Sequence, residues 1–200
     1  MTCPGHECAN RIRGPTPDPR TRAPPSTRAE RPWARRLGPP NVDAMCEHCG
    51  CRAVEPIAQL MDEHYEMLDL SGAIRTLLAA GDRAGASAKL AELDRRLAPH
   101  ASREERGVFA ALKEQGDFAA EVLDLEADHR AFDATLADLD TTAPDFDQQV
   151  KRFLADLSLH IDRENLGVFP VTVVTLDDDG WETVTRAHAE TPALQCAPER

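Results

Sequence analysis

The stretch "HIDRENLGVF", His160–Phe169, decides how this chain is read. The apolar residues leading into it, Val150, Phe153 and Leu157, step by three and four, the period of the buried stripe of an amphipathic helix. The next two members of that stripe are His160 and Glu164. An imidazole and a carboxylate thus stand where the helix should bury apolar surface. The pattern has an earlier copy. "HASREERGVF", His100–Phe109, matches it at His, Arg, Glu, Gly, Val and Phe, six of ten positions.

Working outward, the same periodicity defines four helices from Glu55 onward. The first carries Ile57, Leu60, His64, Met67, Leu68 and Ser71 on one face. Asp82 can cap the second, whose stripe reads Leu90, Leu93, Leu97, His100, Glu104, Val108. Asp117 can cap the third, with Phe118, Val122, Leu125, His129, Phe132, Leu136 and Leu139. The fourth follows the "TTAPD" turn with Phe146, Val150, Phe153, Leu157, His160 and Glu164. Short polar links favour antiparallel neighbours, so the expected fold is all-α, a four-helix bundle over 55–176. Pro99 should kink or restart the second helix just before His100, and Pro170 should do the same after "GVF". Residues 177–200 read as a short helix around Trp181–His188 followed by a tail.

Two further histidines complete a repeat of two related hairpins. His64 in "MDEHYE" and His129 in "EADHRA" each follow an acid and precede a His-x-x-x-Glu. Residues four apart on a helix rise ~6 Å and share a face, so their side chains can converge. Taken singly, each piece has a plain reading: a hydrogen-bonded core histidine, or an exposed i,i+4 pair worth a few tenths of a kcal/mol. Together, four histidines and two glutamates on apolar stripes would cost several kcal/mol each if left unpaired. A metal centre satisfies them jointly. Two carboxylates, one per hairpin, can bridge two ions, each taking two imidazoles and keeping room for water, hydroxide or a small gas. Imidazole with carboxylate suits iron, zinc or manganese. The non-metal alternative is an interaction bundle with satisfied polar core pairs.

This arrangement, His64, His100-x-x-x-Glu104, His129, His160-x-x-x-Glu164, resembles the hemerythrin-like family of HHE cation-binding domains over residues 55–175. The resemblance implies an up-down-up-down four-helix bundle around two non-heme iron ions. Glu104 and Glu164 would be the bridging carboxylates; His64, His100, His129 and His160 the terminal ligands. It implies binding of, or reaction with, a small oxidant (dioxygen, peroxide or nitric oxide), including peroxide- or nitric-oxide-directed activity. The alternative is an iron, oxygen or redox sensor, or an iron–sulfur repair module, acting through a protein partner. Oxygen carriers of the family have a fifth histidine one turn after the third-helix ligand, where this chain has Asp133. Asp133 is either an oxygen ligand or marks an open position. Glu126, three residues before His129, is a candidate to support a ligand from behind. Glu63 and Asp128, beside ligand histidines but ~100° around the helix, read as solvated acids, and Glu105 and Asn165 as surface. Tyr65, the only tyrosine, reads as ordinary packing.

"MCEHCGC", Met45–Cys51, forms a separate segment, 45–54, with Cys46, His48, Cys49 and Cys51 as a candidate secondary metal or redox site. Cys3, His6 and Cys8 can join it; Cys196 reads as tail. Residues 1–44 hold eight Arg and nine Pro and are expected to be disordered, or to lie upstream of a natural start at Met45. The formal net charge of −12 argues against nonspecific nucleic-acid binding. No apolar run approaches the ~20 residues of a membrane span. With no apolar leader, a cytoplasmic protein with reduced cysteines is expected.

Overall fold

The computed structural model describes residues 50–116 and 118–193, all within one compact unit, Asn41–Arg200. These residues form five helices and no strand. After a short 3₁₀ turn at Cys51–Ala53, α1 runs Glu55–Ala79. α2 runs Arg83–Arg103, opens into a π turn at Glu104–Val108 and closes as Phe109–Gln115. α3 is Ala119–Asp138. α4 runs Phe146–Arg163, opens into a π turn at Glu164–Val168 and closes as Phe169–Thr175. α5 is Asp178–Glu190 and contains the expected Trp181–His188 stretch. No helix among the described residues is long and apolar enough to cross a membrane.

The helix boundaries follow from local chemistry. Pro56 sits in the first turn of α1, where its missing N–H costs nothing. Gly81, at φ 76°, turns the chain out of α1, and Asp82 then caps α2 by accepting from the Gly85 N–H at 2.8 Å. The turn before α4 is held by Arg83, which donates to the Ala143 carbonyl at 2.9 Å and pairs with Asp147 at 2.8 Å.

Two expectations are corrected here. Pro99 does not restart α2; the helix continues through it to Arg103. Pro170, as expected, stands where the helix resumes, in the first turn of Phe169–Thr175 after the π segment. In both helices the irregularity begins at the glutamate, where hydrogen bonds lengthen to five residues: the Phe109 and Phe169 N–H groups donate to the Glu104 and Glu164 carbonyls. Phe118 is no member of the α3 stripe. It precedes the helix in a left-handed conformation, φ 61°, and is 46% exposed, because the chain is still reversing there. The proposed cap Asp117 lies outside the described residues.

Two apolar clusters fill the interior. One holds Leu60, Met61, Val108, Leu125 and Val168; the other holds Met67, Leu97, Phe132, Leu157 and Ile161. Along α1 the first cluster precedes the second, along α2 it follows, along α3 it precedes, and along α4 it follows. The histidines and glutamates of the sequence motif fall where the two clusters meet on every helix, with His160 one residue before Ile161, the last α4 member of the second cluster.

Candidate metal centre

His64, His100, Glu104, His129, His160 and Glu164 are all buried, from 0% to 4% exposed. They form two donor sets, each able to hold a cation: His64, His100, Glu104 and Glu164, and Glu104, His129, His160 and Glu164. Both glutamates belong to both sets. Glu104 Oε1 lies 3.6 Å from His64 Nε2 and 3.2 Å from His100 Nε2, while its Oε2 lies 3.5 Å from His129 Nε2. Glu164 Oε2 lies 3.2 Å from His64 Nε2, and its Oε1 3.1 Å from His160 Nε2. All four carboxylate oxygens are buried without a hydrogen-bond partner.

The imidazoles are oriented from outside. Each turns Nδ1 toward an acceptor on another helix: His100 to Glu63 at 2.7 Å, His129 to Glu105 at 2.9 Å, His160 to Asp128 at 3.3 Å and His64 to Asn165 at 3.0 Å. The supports run in a ring: α1 holds the α2 histidine, α2 that of α3, α3 that of α4, and α4 that of α1. Donation through Nδ1–H fixes the tautomer and leaves the Nε2 lone pair facing inward. The Nε2 atoms of His64 and His100 then face each other at 2.9 Å, and those of His129 and His160 at 3.0 Å. Two imidazole nitrogens that close need a proton or a metal ion between them. Phe169 stacks on His64 and Phe109 on His129, at 5.6 and 5.9 Å between ring centres.

Charge balance tells the same story. Burial disfavours a charged His64, but the Glu104 and Glu164 carboxylates outweigh it and raise its pKa to about 10. His129 is raised to about 9 by the same contest, with Glu104 foremost among the charges. Burial opposes ionisation of Glu104 and Glu164 too, yet the surrounding imidazoles hold both below the usual carboxylate range, Glu104 well below. Without a metal, protons carry the positive charge this nest of carboxylates demands. A cation would take their place.

Four sequence expectations change. Glu63 and Asp128 are not free surface acids: each accepts from a buried histidine, and each is gripped by an arginine of the repeat, Glu63 by Arg103 and Asp128, which stays partly exposed, by Arg163. Glu105 and Asn165 are likewise partners of histidines. Glu126 supports no ligand; it pairs with Lys113. Asp133 is exposed and stands in neither donor set, because Phe132, three residues on, continues the buried stripe and sets its ring edge against His160 at 5.2 Å. The signal for the missed partners was present. Arg103 matches Arg163, and Glu63 and Asp128 both precede a histidine. Neighbours on one helix point ~100° apart, but these partners meet across helices.

Of the candidate set Cys46, His48, Cys49 and Cys51, only Cys51 falls among the described residues, where it is fully buried in the apolar cluster with Ile57 and Leu60. Cys46, His48, Cys49, Cys196 and residues 1–44 lie outside them. Tyr65 carries the Arg52 guanidinium 5.7 Å over its ring, which is packing.

All six residues lie within the stretch that a family model matches. The model of the hemerythrin HHE cation-binding domain matches residues 55–172, and the chain belongs to that family. No curated protein and no solved structure matches the chain.

Proposed function

We propose that the protein is a non-heme di-iron protein whose metal pair binds or reacts with a small oxidant such as dioxygen, peroxide or nitric oxide. One observation carries this reading. The two carboxylates, fully buried and without hydrogen bonds, each divide their contacts between two histidine pairs. Glu104 and Glu164 are the bridging groups, and His64, His100, His129 and His160 the terminal ligands. The alternating order of the apolar clusters along α1–α4 supports an up-down-up-down arrangement of these four helices.

Imidazole with carboxylate is a donor set that suits iron, and the chain belongs to a family of cation-binding domains. When bound, the metal pair supplies Lewis acidity and redox electrons for a small ligand. The chain's own part would be to hold the metal pair with the six donors, Asp133 being turned outward and contributing none, and to wall the site with Phe109, Phe132 and Phe169 so that bulk water is excluded. A cytoplasmic location suits both the chemistry and the thiol-rich segment Cys46, Cys49, Cys51.

The test is metal content together with the optical spectrum of the reduced protein before and after oxygen. Two irons per chain and a persistent new band indicate oxygen carriage. Two irons and a transient band indicate reaction. Protein purified with iron available and still free of metal refutes the proposal.

A further inference from the structure

The two halves of the site share their inner donors and differ in what lies behind them. Behind His100, Glu63 Oε2 accepts from Nδ1 and also from Arg103. Arg103 is 1% exposed, and its Nη1 donates to the Thr191 carbonyl at the end of α5 at 3.2 Å. α5 lies directly on the π turn that follows. A Cβ at Gly107 would stand 3.1 Å from the Ala187 Cβ and 3.3 Å from the Val184 Cα, so any side chain there would push α5 back, a large one the furthest. Arg106 adds an ion pair to Glu190.

The matching positions in the other half are open. Behind His160, Asp128 accepts from Nδ1 at a longer 3.3 Å and from Arg163 at 2.7 Å, and these two side chains are 37% and 36% exposed. A Cβ at Gly167 would meet nothing within 4 Å, and Leu166, the counterpart of Arg106, is 58% exposed. A cavity of about 140 Å³ opens there between Phe118, Arg163, Gly167 and Val168.

We infer that α5, acting through Arg103 and Glu63, locks the cation position of His64 and His100, and that the position of His129 and His160 is the exchangeable one, loaded last and stripped first. The inference rests on the dinuclear reading. An imidazole leaves its ion by rotating, which breaks its Nδ1 bond. At His100 this strands Glu63 and the buried Arg103 beneath α5, with little water to replace the lost contact. At His160 solvent reaches Asp128 and Arg163 and replaces it cheaply. Loss of an outer partner of this kind is worth about 10- to 100-fold in metal affinity. The other two supports do not reverse the difference: Asn165 is half-buried, and Glu105, though charged, is 37% exposed.

The full chain is loaded with two equivalents of ferrous iron without oxygen and stripped by excess chelator. Two release phases of one equivalent each are expected, about tenfold or more apart. Gly107→Leu and Arg103→Ala should speed the slow phase and spare the fast one. Gly167→Leu, its matched control, should change neither, and Arg103→Lys should recover part of the slow rate. General loosening of the fold would not act on one phase alone. A single phase of two equivalents, or Gly167→Leu acting as strongly as Gly107→Leu, overturns the inference and leaves the dinuclear reading standing. Failure of the unaltered chain to bind iron overturns both. Should the variants not fold, amide exchange on the unaltered chain decides: residues 104–108 should exchange more slowly than 164–168, and equal protection overturns the inference.

Discussion

Residues 100–109 and 160–169 share six identities and one backbone path, helical up to the glutamate and π-turned after it. One lies beneath α5; the other faces outward. The comparison separates two kinds of information. What the repeat encodes twice, it builds twice: inward imidazole, shared carboxylate, arginine, stacked phenylalanine. What differs is supplied from outside the repeat, by the fifth helix. A sequence duplication can therefore make a two-fold donor set whose two positions are not alike.

The largest effects should come from breaking what the halves share. Glu164→Ala or Glu104→Ala removes a carboxylate that reaches both positions, so each should lose both cations rather than one. Removing one of the two carboxylates that face the buried imidazoles should also destabilise the metal-free fold by about 3 kcal/mol. Metal analysis and denaturant melts on the same samples check this. A variant that keeps one full equivalent would show that the carboxylate serves a single position. His100→Ala and His160→Ala provide the contrast: each should weaken its own position first.

The next effect sharpens the difference between halves. Glu63→Gln and Asp128→Asn both keep an amide oxygen for the histidine N–H but discharge the group facing an arginine. Each should lower metal affinity about 10- to 100-fold, with Glu63→Gln at the upper end. Only Glu63→Gln leaves a buried arginine unpaired, so only it should also lower stability, by about 3 kcal/mol. At Asp128 the pair is more than a third exposed, and the cost should stay below about 1 kcal/mol. Chelator competition and urea melts measure the two quantities, and equal losses of stability would contradict the burial difference.

The inner site was legible because periodicity and repetition act together. His64, His100, Glu104, His129, His160 and Glu164 each continue an apolar stripe, and each finds its counterpart in the other hairpin. The outer partners were not legible by that route. Glu63 sits 19% exposed on the flank of α1, and its meaning lies in Arg103, forty residues away. Proline was a misleading signal for the helix irregularities. The π turns start at the two glutamates; Pro99 lies inside α2 without interrupting it, and Pro170 stands only where α4 resumes after its π turn. Phe118 failed for a related reason. It kept the spacing of the stripe while the backbone was still turning, and spacing carries meaning only once a helix has begun.

The smallest effects concern how the two glutamate-bearing helices begin, where the hairpins differ again. α2 starts with a side-chain cap, Asp82 accepting from the Gly85 N–H. α4 starts at Asp145, whose carboxylate makes no cap bond and accepts instead from the Gln149 side chain at 2.9 Å. Asp82→Ala should therefore cost about 1 kcal/mol, the usual worth of an N-cap, and Asp145→Ala only a few tenths, the worth of an exposed i,i+4 pair. Both caps stand more than ~20 Å along their helices from the histidines. Neither change should alter how much metal is held or how fast each equivalent leaves. Thermal melts beside release kinetics check this. Equal costs would remove the capping difference, and a shift in one release phase would mean that the far end of a hairpin is coupled to the site through the helix it starts.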